Sequence, residues 1–422
     1  MKLKGVIPII IHHRITKDKE GLYYTIPFDV PDNVEKITVS YDYFRKGGGI
    51  LADLKPSNTV DIGLEDEKGN FLGWSGSAHK SVSVGEYDSS PGYLCQPINS
   101  GKWKIIVGAY HIMPDGVDVT YNIDFKLKGE RLLFGDLHIH TTASDGSLSA
   151  YEAGILAKNT GLDFIALANH NNFSENYFLP HIDGLTFVPA VEWTHYKGHM
   201  NFYGVSNPFE NSFVANTSED MKRLISNARS KGAAVSVNHP KCRFCPYLWQ
   251  DENAFDMVEI WNGPMRKTNT DAIKWWTEML CRGRKLPAVG GSDFHKPKSL
   301  ARLGNPVTGV YAKSPCAQDI LDAVKNGRAF VSESVSGVRL NLKYGEFSMG
   351  DTAKYNPDIP LVAESNSCSL TVVTDRGEKD VRLTDGKAII KLEKVKFAYV
   401  KAFKGIGSAK IITAVSNPIY FE

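Results

Sequence analysis

Short apolar runs alternate with helical segments between residues 131 and about 330, and this alternation limits the possible folds of the 422-residue chain. Seven runs are predicted as strands, at residues 132–138, 164–168, 186–191, 200–205, 233–237, 257–261 and 286–289. Four segments are predicted as helices, at residues 150–160, 219–231, 271–282 and 317–326. Because strands that alternate with helices form mostly parallel sheets, we expect an α/β sheet, either open or closed into a barrel.

The two flanks show a different pattern, in which apolar and polar residues alternate with a period of two. Residues 23–30, 34–41, 101–107 and 117–125 are predicted strands on the N-terminal side, and 369–374 and 387–392 on the C-terminal side. This period is typical of half-buried strands. We therefore predict three domains: an N-terminal β-sandwich (1–130), an α/β domain (131–332) and a C-terminal β-sandwich (333–422).

Composition narrows the class of partner and the compartment. Lys and Arg number 49 and Asp and Glu 47, so the net charge is only +2 and nucleic acid is not an expected partner. No apolar run reaches the roughly 20 residues that span a bilayer. The first eleven residues are interpreted as a strand rather than as a signal peptide, because a proline interrupts their apolar stretch and no cleavage site follows. Six cysteines do not make a disulfide scaffold, so we expect a cytoplasmic protein with free thiols. The sequence does not determine the oligomeric state, and a homo-oligomer is one of the states it allows.

Histidines concentrate in the α/β region and fall at the ends of its predicted strands. Eight of the twelve lie between residues 138 and 295. His138 and His140 end the first predicted strand, and Asp293 and His295 follow the last. Residues i and i+2 of a strand point the same way, so each pair can bind one ion. The carboxyl ends of strands are also where α/β folds place their sites.

Nine side chains in this region are candidate metal ligands, and they are His138, His140, Asp145, His170, Glu192, His199, His239, Asp293 and His295. One ion rarely takes more than six ligands, so nine donors indicate two or three ions. Imidazole and carboxylate ligands suit divalent transition metals such as Zn, Mn or Fe. A purely structural cluster is the weaker alternative, because structural zinc sites are usually closed and rich in cysteine. His181 and His195 are not expected to be ligands.

The motifs around these residues resemble those of the PHP (polymerase and histidinol phosphatase) metallohydrolases. The first is Gly-Asp-Leu-His-Ile-His at 135–140, and the second ends in Ala-Asn-His at 168–170. Glu192, Gly198-His199, Asn238-His239-Pro240 and Ser292-Asp293-Phe294-His295 complete the series in order. The resemblance implies a distorted seven-stranded (β/α) barrel flanked by the two sandwiches. The long N-terminal region more loosely resembles the branch that includes carbamate (carbaryl-type) hydrolases.

The same resemblance implies a trinuclear centre. The first ion would be held by His138, His140, Glu192 and Asp293, the second by Glu192, His199 and His239, and the third by Asp145, His170 and His295. Asn169 departs from the family, which usually has Asp before the second-motif histidine. An amide cannot supply a negative charge, so the third site is expected to be weakened or retuned.

This chemistry predicts a metal-dependent hydrolase in which a metal-bound hydroxide attacks the substrate. A phosphoesterase acting on a small phosphomonoester or nucleotide is the favoured activity, and a carbamate or carboxyl-ester hydrolase is the alternative. Arg243, Arg266 and Arg302 follow strands on the site's side and suit phosphate contact. His199 or His295 is predicted to protonate the leaving group. Cys242 and Cys245 form a single C-x-x-C, which by itself is weak evidence for a metal or redox site.

Overall fold

The computed structural model describes residues 8–45, 57–367, 369–405 and 410–422. The chain divides into two compact units, Met1–Gly129 and Glu130–Glu422. The boundary predicted between residues 332 and 333 falls inside the second unit, and the three-domain organisation stays a prediction. Residues 1–7 of the predicted N-terminal strand lie outside the described residues. None of the helices in the described ranges has the length and apolar character needed to cross a membrane.

The first unit consists of strands in two antiparallel sheets. The strands are β1 (Ile9–Ile15), β2 (Tyr23–Val30), β3 (Val34–Tyr43), β4 (Thr59–Glu65), β5 (Phe71–Gly76), β6 (Ser81–Gly85), β7 (Gly101–His111) and β8 (Val117–Leu127). The sheet orders are β1-β8-β3-β6 and β2-β7-β4-β5. Alternate side chains such as Ile37, Val39 and Trp103 are fully buried in one shared hydrophobic cluster. The period of two in the sequence therefore marks the inward-facing residues.

The second unit begins with mixed α/β structure. Its first strands are β9 (Arg131–Ile139), β10 (Phe164–Leu167), β11 (Thr186–Trp193), β12 (His199–Tyr203), β13 (Ala234–Asn238), β14 (Met257–Asn262), β15 (Ala288–Gly291), β16 (Val307–Ala312) and β17 (Ala329–Ser332). The helices are α1 (Ala150–Thr160), α2 (Ser218–Ser230), α3 (Lys267–Cys281) and α4 (Ala317–Lys325). Ser149 and Glu152 form a capping box at the start of α1, which ends at Gly161 with a φ of +87°.

The sheet of this region is mixed rather than uniformly parallel. Its order is β15-β14-β13-β12-β11-β10-β9-β16-β17, and β12 pairs antiparallel with both β11 and β13. Only residues 194–198 join β11 to β12, whereas a parallel return needs a dozen or more residues. The start of β12 therefore lies at the same edge as the carboxyl ends of its neighbours. The described residues contain four α-helices, and this sheet forms a curled half-barrel.

The C-terminal strands continue the same sheet and also form a smaller one. They are β18 (Leu340–Tyr344), β19 (Phe347–Ser348), β20 (Thr352–Ala353), β21 (Leu361–Ser365), β22 (Leu370–Thr374), β23 (Gly377–Val381), β24 (Lys387–Ile390), β25 (Phe397–Lys404), β26 (Ile411–Ser416) and β27 (Ile419–Phe421). β26 pairs with β17 and with β25, while β19-β18-β21-β24 is separate. The alternating pattern predicted two of these strands, at 369–374 and 387–392, where the structure has β22 and β24. The pattern contains no information about which strands pair.

Asn417 links the C-terminal segment to the mixed sheet. Its side chain is fully buried, and Oδ1 accepts a hydrogen bond from Ala288 N at 2.7 Å. Nδ2 donates to Ala288 O at 3.0 Å and to Ala329 O at 2.9 Å. These two alanines begin β15 and β17, so one amide group fixes the starts of two strands.

We expect Asn417→Ala to lower the free energy of unfolding by about 3 kcal/mol, because it leaves buried backbone groups without partners. Urea unfolding followed by circular dichroism measures this change. Asn341→Ala is the matched control, since that half-buried amide donates to Glu364 Oε2 at 3.2 Å and its loss should cost less than about 0.5 kcal/mol. Equal effects of the two substitutions would contradict the linking role of Asn417.

Candidate metal centre

The structure brings all nine predicted ligands to one edge of the mixed sheet. They lie at or just after the carboxyl ends of β9, β10, β11, β13 and β15, and at the start of the antiparallel β12. The backbone at two of them is unusual: φ is +29° at His239 and +55° at Asp293. Hydrogen bonds hold both, from His239 N to Glu259 Oε2 at 2.8 Å and from Asp293 N to His138 O at 2.8 Å. Such local strain is typical of functional sites.

Glu192 is the centre of the cluster. Its carboxylate is fully buried, and five imidazoles surround it. The distances to Oε1 are 3.2 Å from His138 Nε2, 3.2 Å from His199 Nδ1 and 3.3 Å from His239 Nε2. The distances to Oε2 are 2.8 Å from His170 Nδ1 and 3.7 Å from His140 Nε2. A carboxylate in this position can bridge neighbouring ions.

Two further carboxylates extend the cluster on either side. Asp293 Oδ1 lies 3.2 Å from His140 Nε2 and 3.6 Å from His138 Nε2. Asp145 Oδ1 lies 3.3 Å from His295 Nε2 and 3.6 Å from His170 Nε2. Each of the nine side chains thus has a nitrogen or oxygen within 3.7 Å of an atom of another member.

The donor set fits metal ions. His138 Nε2 and both ring nitrogens of His140 are buried, and none makes an acceptable hydrogen bond to the described residues. Leaving buried polar atoms unpaired is costly. Donor atoms of His140, Asp145, His170 and His295 all lie within 4.8 Å of one another, and so do donor atoms of His138, His140 and Glu192. Divalent ions would satisfy these nitrogens.

Burial and the neighbouring charges shift the pKa values of the clustered side chains in opposite directions. Burial favours protonation of Glu192, yet His138, His170 and His199 outweigh it and hold the pKa of this carboxyl well below its usual range. Burial would also lower the pKa of His138, but Glu259, Glu192 and Asp293 raise it well above the ordinary value. For His140 burial prevails and lowers its pKa to about 4. A neutral imidazole such as that of His140 is the form that binds metal.

Two buried acids that sequence reasoning missed support the ligands. Glu259, within β14, lies 2.9 Å from His138 Nδ1 through Oε1 and would fix the ring's tautomer. Asp136 accepts hydrogen bonds from the backbone of Ser292 and Gly304, at 2.9 Å each. Burial raises the pKa of Asp136 to about 6. A charged residue inside an apolar strand was the available signal, since such residues are rarely buried without a partner.

Asn169 makes hydrogen bonds that were not predicted from the sequence, while its effect on the third site stays a prediction. Its Oδ1 accepts from Thr141 N and Ser144 Oγ, each at 2.9 Å, and its Nδ2 donates to Glu175 Oε2 at 3.0 Å. Glu175 thus supplies a carboxylate next to the position where the family usually has Asp. These side-chain hydrogen bonds join Asn169 to the loop after β9 and to Glu175, and none of them is to a proposed metal ligand.

The three predicted arginines differ in their surroundings. Arg243 and Arg266 line a cavity of about 340 Å³ together with Cys242, Phe244, Lys267 and Thr268. Arg266 donates to Asn262 Oδ1 at 3.2 Å, and Asn262 donates to Asp293 Oδ2 at 3.4 Å, so a chain of hydrogen bonds links one lining residue of the cavity to the cluster. Within the described ranges, no hydrogen bond or ion pair involves the guanidinium of Arg302, which is exposed and does not line this cavity.

The two histidines that were not expected to be ligands make other contacts. His181 is exposed and lies 3.1 Å from Asp183. His195 packs against Trp249, with ring centroids 4.6 Å apart.

No protein-family model matches the chain, and no curated protein matches it. Solved structures do. One is a two-domain protein from Bacteroides vulgatus containing a predicted PHP-like metal-dependent phosphoesterase; it is 18% identical, covering 68% of this chain and 96% of that one, with a TM-score of 0.41. A candidate metal-dependent phosphoesterase from Bifidobacterium adolescentis is 14% identical, covering 45% and 96%, with a TM-score of 0.30.

An amidohydrolase from Chromobacterium violaceum is a third match, 15% identical over 39% of this chain and 88% of that one, with a TM-score of 0.30. The predicted resemblance to PHP-like proteins recurs in the description of the Bacteroides vulgatus structure. The narrower resemblance to carbamate hydrolases stays a prediction.

We expect Asn169→Asp to destabilise the fold by about 1–3 kcal/mol, because it replaces a donor to Glu175 with a second carboxylate 3 Å away. Thermal unfolding of the metal-free protein measures this. The double variant Asn169→Asp/Glu175→Gln restores a donor–acceptor pair and should recover most of the loss. A single variant as stable as the original protein would contradict this role of Glu175.

Proposed function

We propose that the protein is a metal-dependent phosphoesterase that hydrolyses a small phosphomonoester or nucleotide. The observation that carries this proposal is the convergence of six histidines and three carboxylates on one edge of the sheet. There, His138 Nε2 and both ring nitrogens of His140 are buried without a hydrogen bond of acceptable geometry to the described residues. The adjoining cavity, with the guanidinium groups of Arg243 and Arg266, favours an anionic substrate over a neutral one.

We assign the ligands as the motifs imply, with Glu192 shared between two ions. His138, His140 and Asp293 complete one set, His199 and His239 a second, and Asp145, His170 and His295 a third. When bound, such ions would lower the pKa of water and neutralise charge on the phosphoryl group. Zn, Mn or Fe would suit these ligands.

The chain's own residues would bind the substrate and supply the proton. Arg243 and Arg266 would hold the phosphate oxygens through paired N–H groups. His199 or His295 would protonate the leaving oxygen. This role requires a ring nitrogen that is not bound to metal. In His295 that nitrogen is Nε2, because Nδ1 lies 2.9 Å from Asp293 O, and the side chain is partly open to solvent.

We further propose that the mixed sheet completes a distorted seven-stranded (β/α) barrel. Hydrogen bonds of 2.8 Å run from Asp293 N to His138 O and from His140 N to Phe294 O, and they join the segment after β15 to β9. Gly291 permits this approach, since a Cβ there would lie only 2.4 Å from the Cβ of His138.

A carbamate or carboxyl-ester hydrolase is the second candidate. Phe244 lines the same cavity and is 96% exposed, so it offers an apolar surface to an aromatic leaving group. The same ligands would serve either reaction, and the substrates used in the assay distinguish them.

We expect the double variant His138→Ala/His140→Ala to lose bound metal and hydrolytic activity together. The assays use p-nitrophenyl phosphate and p-nitrophenyl acetate with added Mn, Zn or Fe. His181→Ala is the control. Because His181 lies outside the cluster, this variant should keep the metal content and activity of the unchanged protein. Full activity in the double variant would refute the proposed centre, and turnover of the acetate alone would favour the second candidate.

Arg243→Ala and Arg266→Ala should each lower kcat/KM for p-nitrophenyl phosphate by about 10- to 100-fold, because a charged hydrogen bond contributes about 1.5–3 kcal/mol. Metal content should not change. Arg223→Ala removes an exposed ion pair on α2 and is the matched control. Unchanged kinetics in both cavity variants would show that phosphate binds elsewhere.

A further inference from the structure

Cys245 lies beside the two histidines that begin β12 and follow β13. Its Sγ is 3.5 Å from His239 Nδ1. Donor atoms of His199, His239 and Cys245 all lie within 4.8 Å of one another. Metal–nitrogen distances near 2.0–2.1 Å and zinc–sulfur distances near 2.3 Å, at a tetrahedral angle, place nitrogen and sulfur about 3.5 Å apart. The observed separation therefore matches two ligands of one ion.

The loop that carries Cys245 is fixed in place. Cys242 N donates to His239 O at 2.8 Å, and Tyr247 N donates to Pro240 O at 3.0 Å. Leu248 N then donates to Lys197 O at 2.8 Å, which joins this loop to the segment before His199. Anchors on both sides of Cys245 hold its thiol at the cluster.

Charge gives a second reason for a sulfur ligand. Glu192 already lies within 3.7 Å of five imidazoles, so its single negative charge is shared among several positions. His199 and His239 bind metal as neutral groups and contribute no charge of their own. A thiolate would provide the missing negative charge, because a metal-coordinated thiol is deprotonated.

We propose that Cys245, Nδ1 of His239 and a ring nitrogen of His199 bind one ion. In this arrangement Nε2 of His239 stays directed at Glu192, and the thiolate replaces Glu192 as the anionic ligand of that ion. This proposal rests on the metal centre of the proposed function. Thiolate ligands favour zinc over oxygen-preferring ions such as Mg²⁺ and Mn²⁺. The position would thus be selective for a soft ion, whereas the sets around Asp293 and Asp145 contain only nitrogen and oxygen donors.

The test uses the full chain, stripped of metal and reloaded with Co²⁺, whose absorption spectrum reports its ligands. We expect a thiolate-to-cobalt charge-transfer band in the near ultraviolet, lost in Cys245→Ser and retained in Cys242→Ser. Zinc affinity, measured by competition with a chelator, should fall at least about tenfold in Cys245→Ser, because even partners outside the ligand shell contribute 10- to 100-fold. Circular dichroism confirms that both variants fold.

Three results would overturn the proposal. Bound cobalt without the band, together with phosphatase activity, would leave the proposed function intact and reduce Cys245 to a hydrogen-bond partner of His239. A band lost in Cys242→Ser but kept in Cys245→Ser would assign the sulfur ligand to the other cysteine. A folded protein that binds no cobalt and hydrolyses nothing would refute both the sulfur ligand and the phosphoesterase.

Discussion

The buried negative charge of Glu192 is the constraint on which the rest of this site depends. An isolated carboxylate inside a protein would be protonated or would destabilise the fold, so it must be paired. Five imidazoles supply that pairing, and they come from different strands and loops. The centre therefore exists only when β9, β10, β11, β12 and β13 are assembled in register, which couples the formation of the site to the folding of the sheet.

Much of this arrangement could be predicted from the sequence, because neighbouring residues determine where the strands, helices and candidate ligands lie. The seven predicted strands and four predicted helices of the α/β region all occur, most within one or two residues at each end. The nine candidate ligands could be found because they stand at strand ends. Helix α1 could be placed closely because the Ser149 capping box and Gly161 mark its limits.

Other features depend on contacts between distant segments, which local patterns do not contain. The antiparallel direction of β12 follows from the short link before it, yet the periodicity of its side chains is that of any strand. The pairing of β26 with β17 joins residues far apart in the chain. Glu259 acquires its role through His138 and His239, Glu175 through Asn169, and Cys245 through His239, and all of these partners are distant in sequence or placed by the fold.

The central claim is that the cluster around Glu192 is a metal centre, and elemental analysis of the purified, folded protein tests it most directly. The account predicts two or three transition-metal ions per chain, released by a chelator with a fall in the unfolding temperature, because ligands that bind only the folded state stabilise it. A folded protein that contains no metal and takes up none from solution would contradict the account.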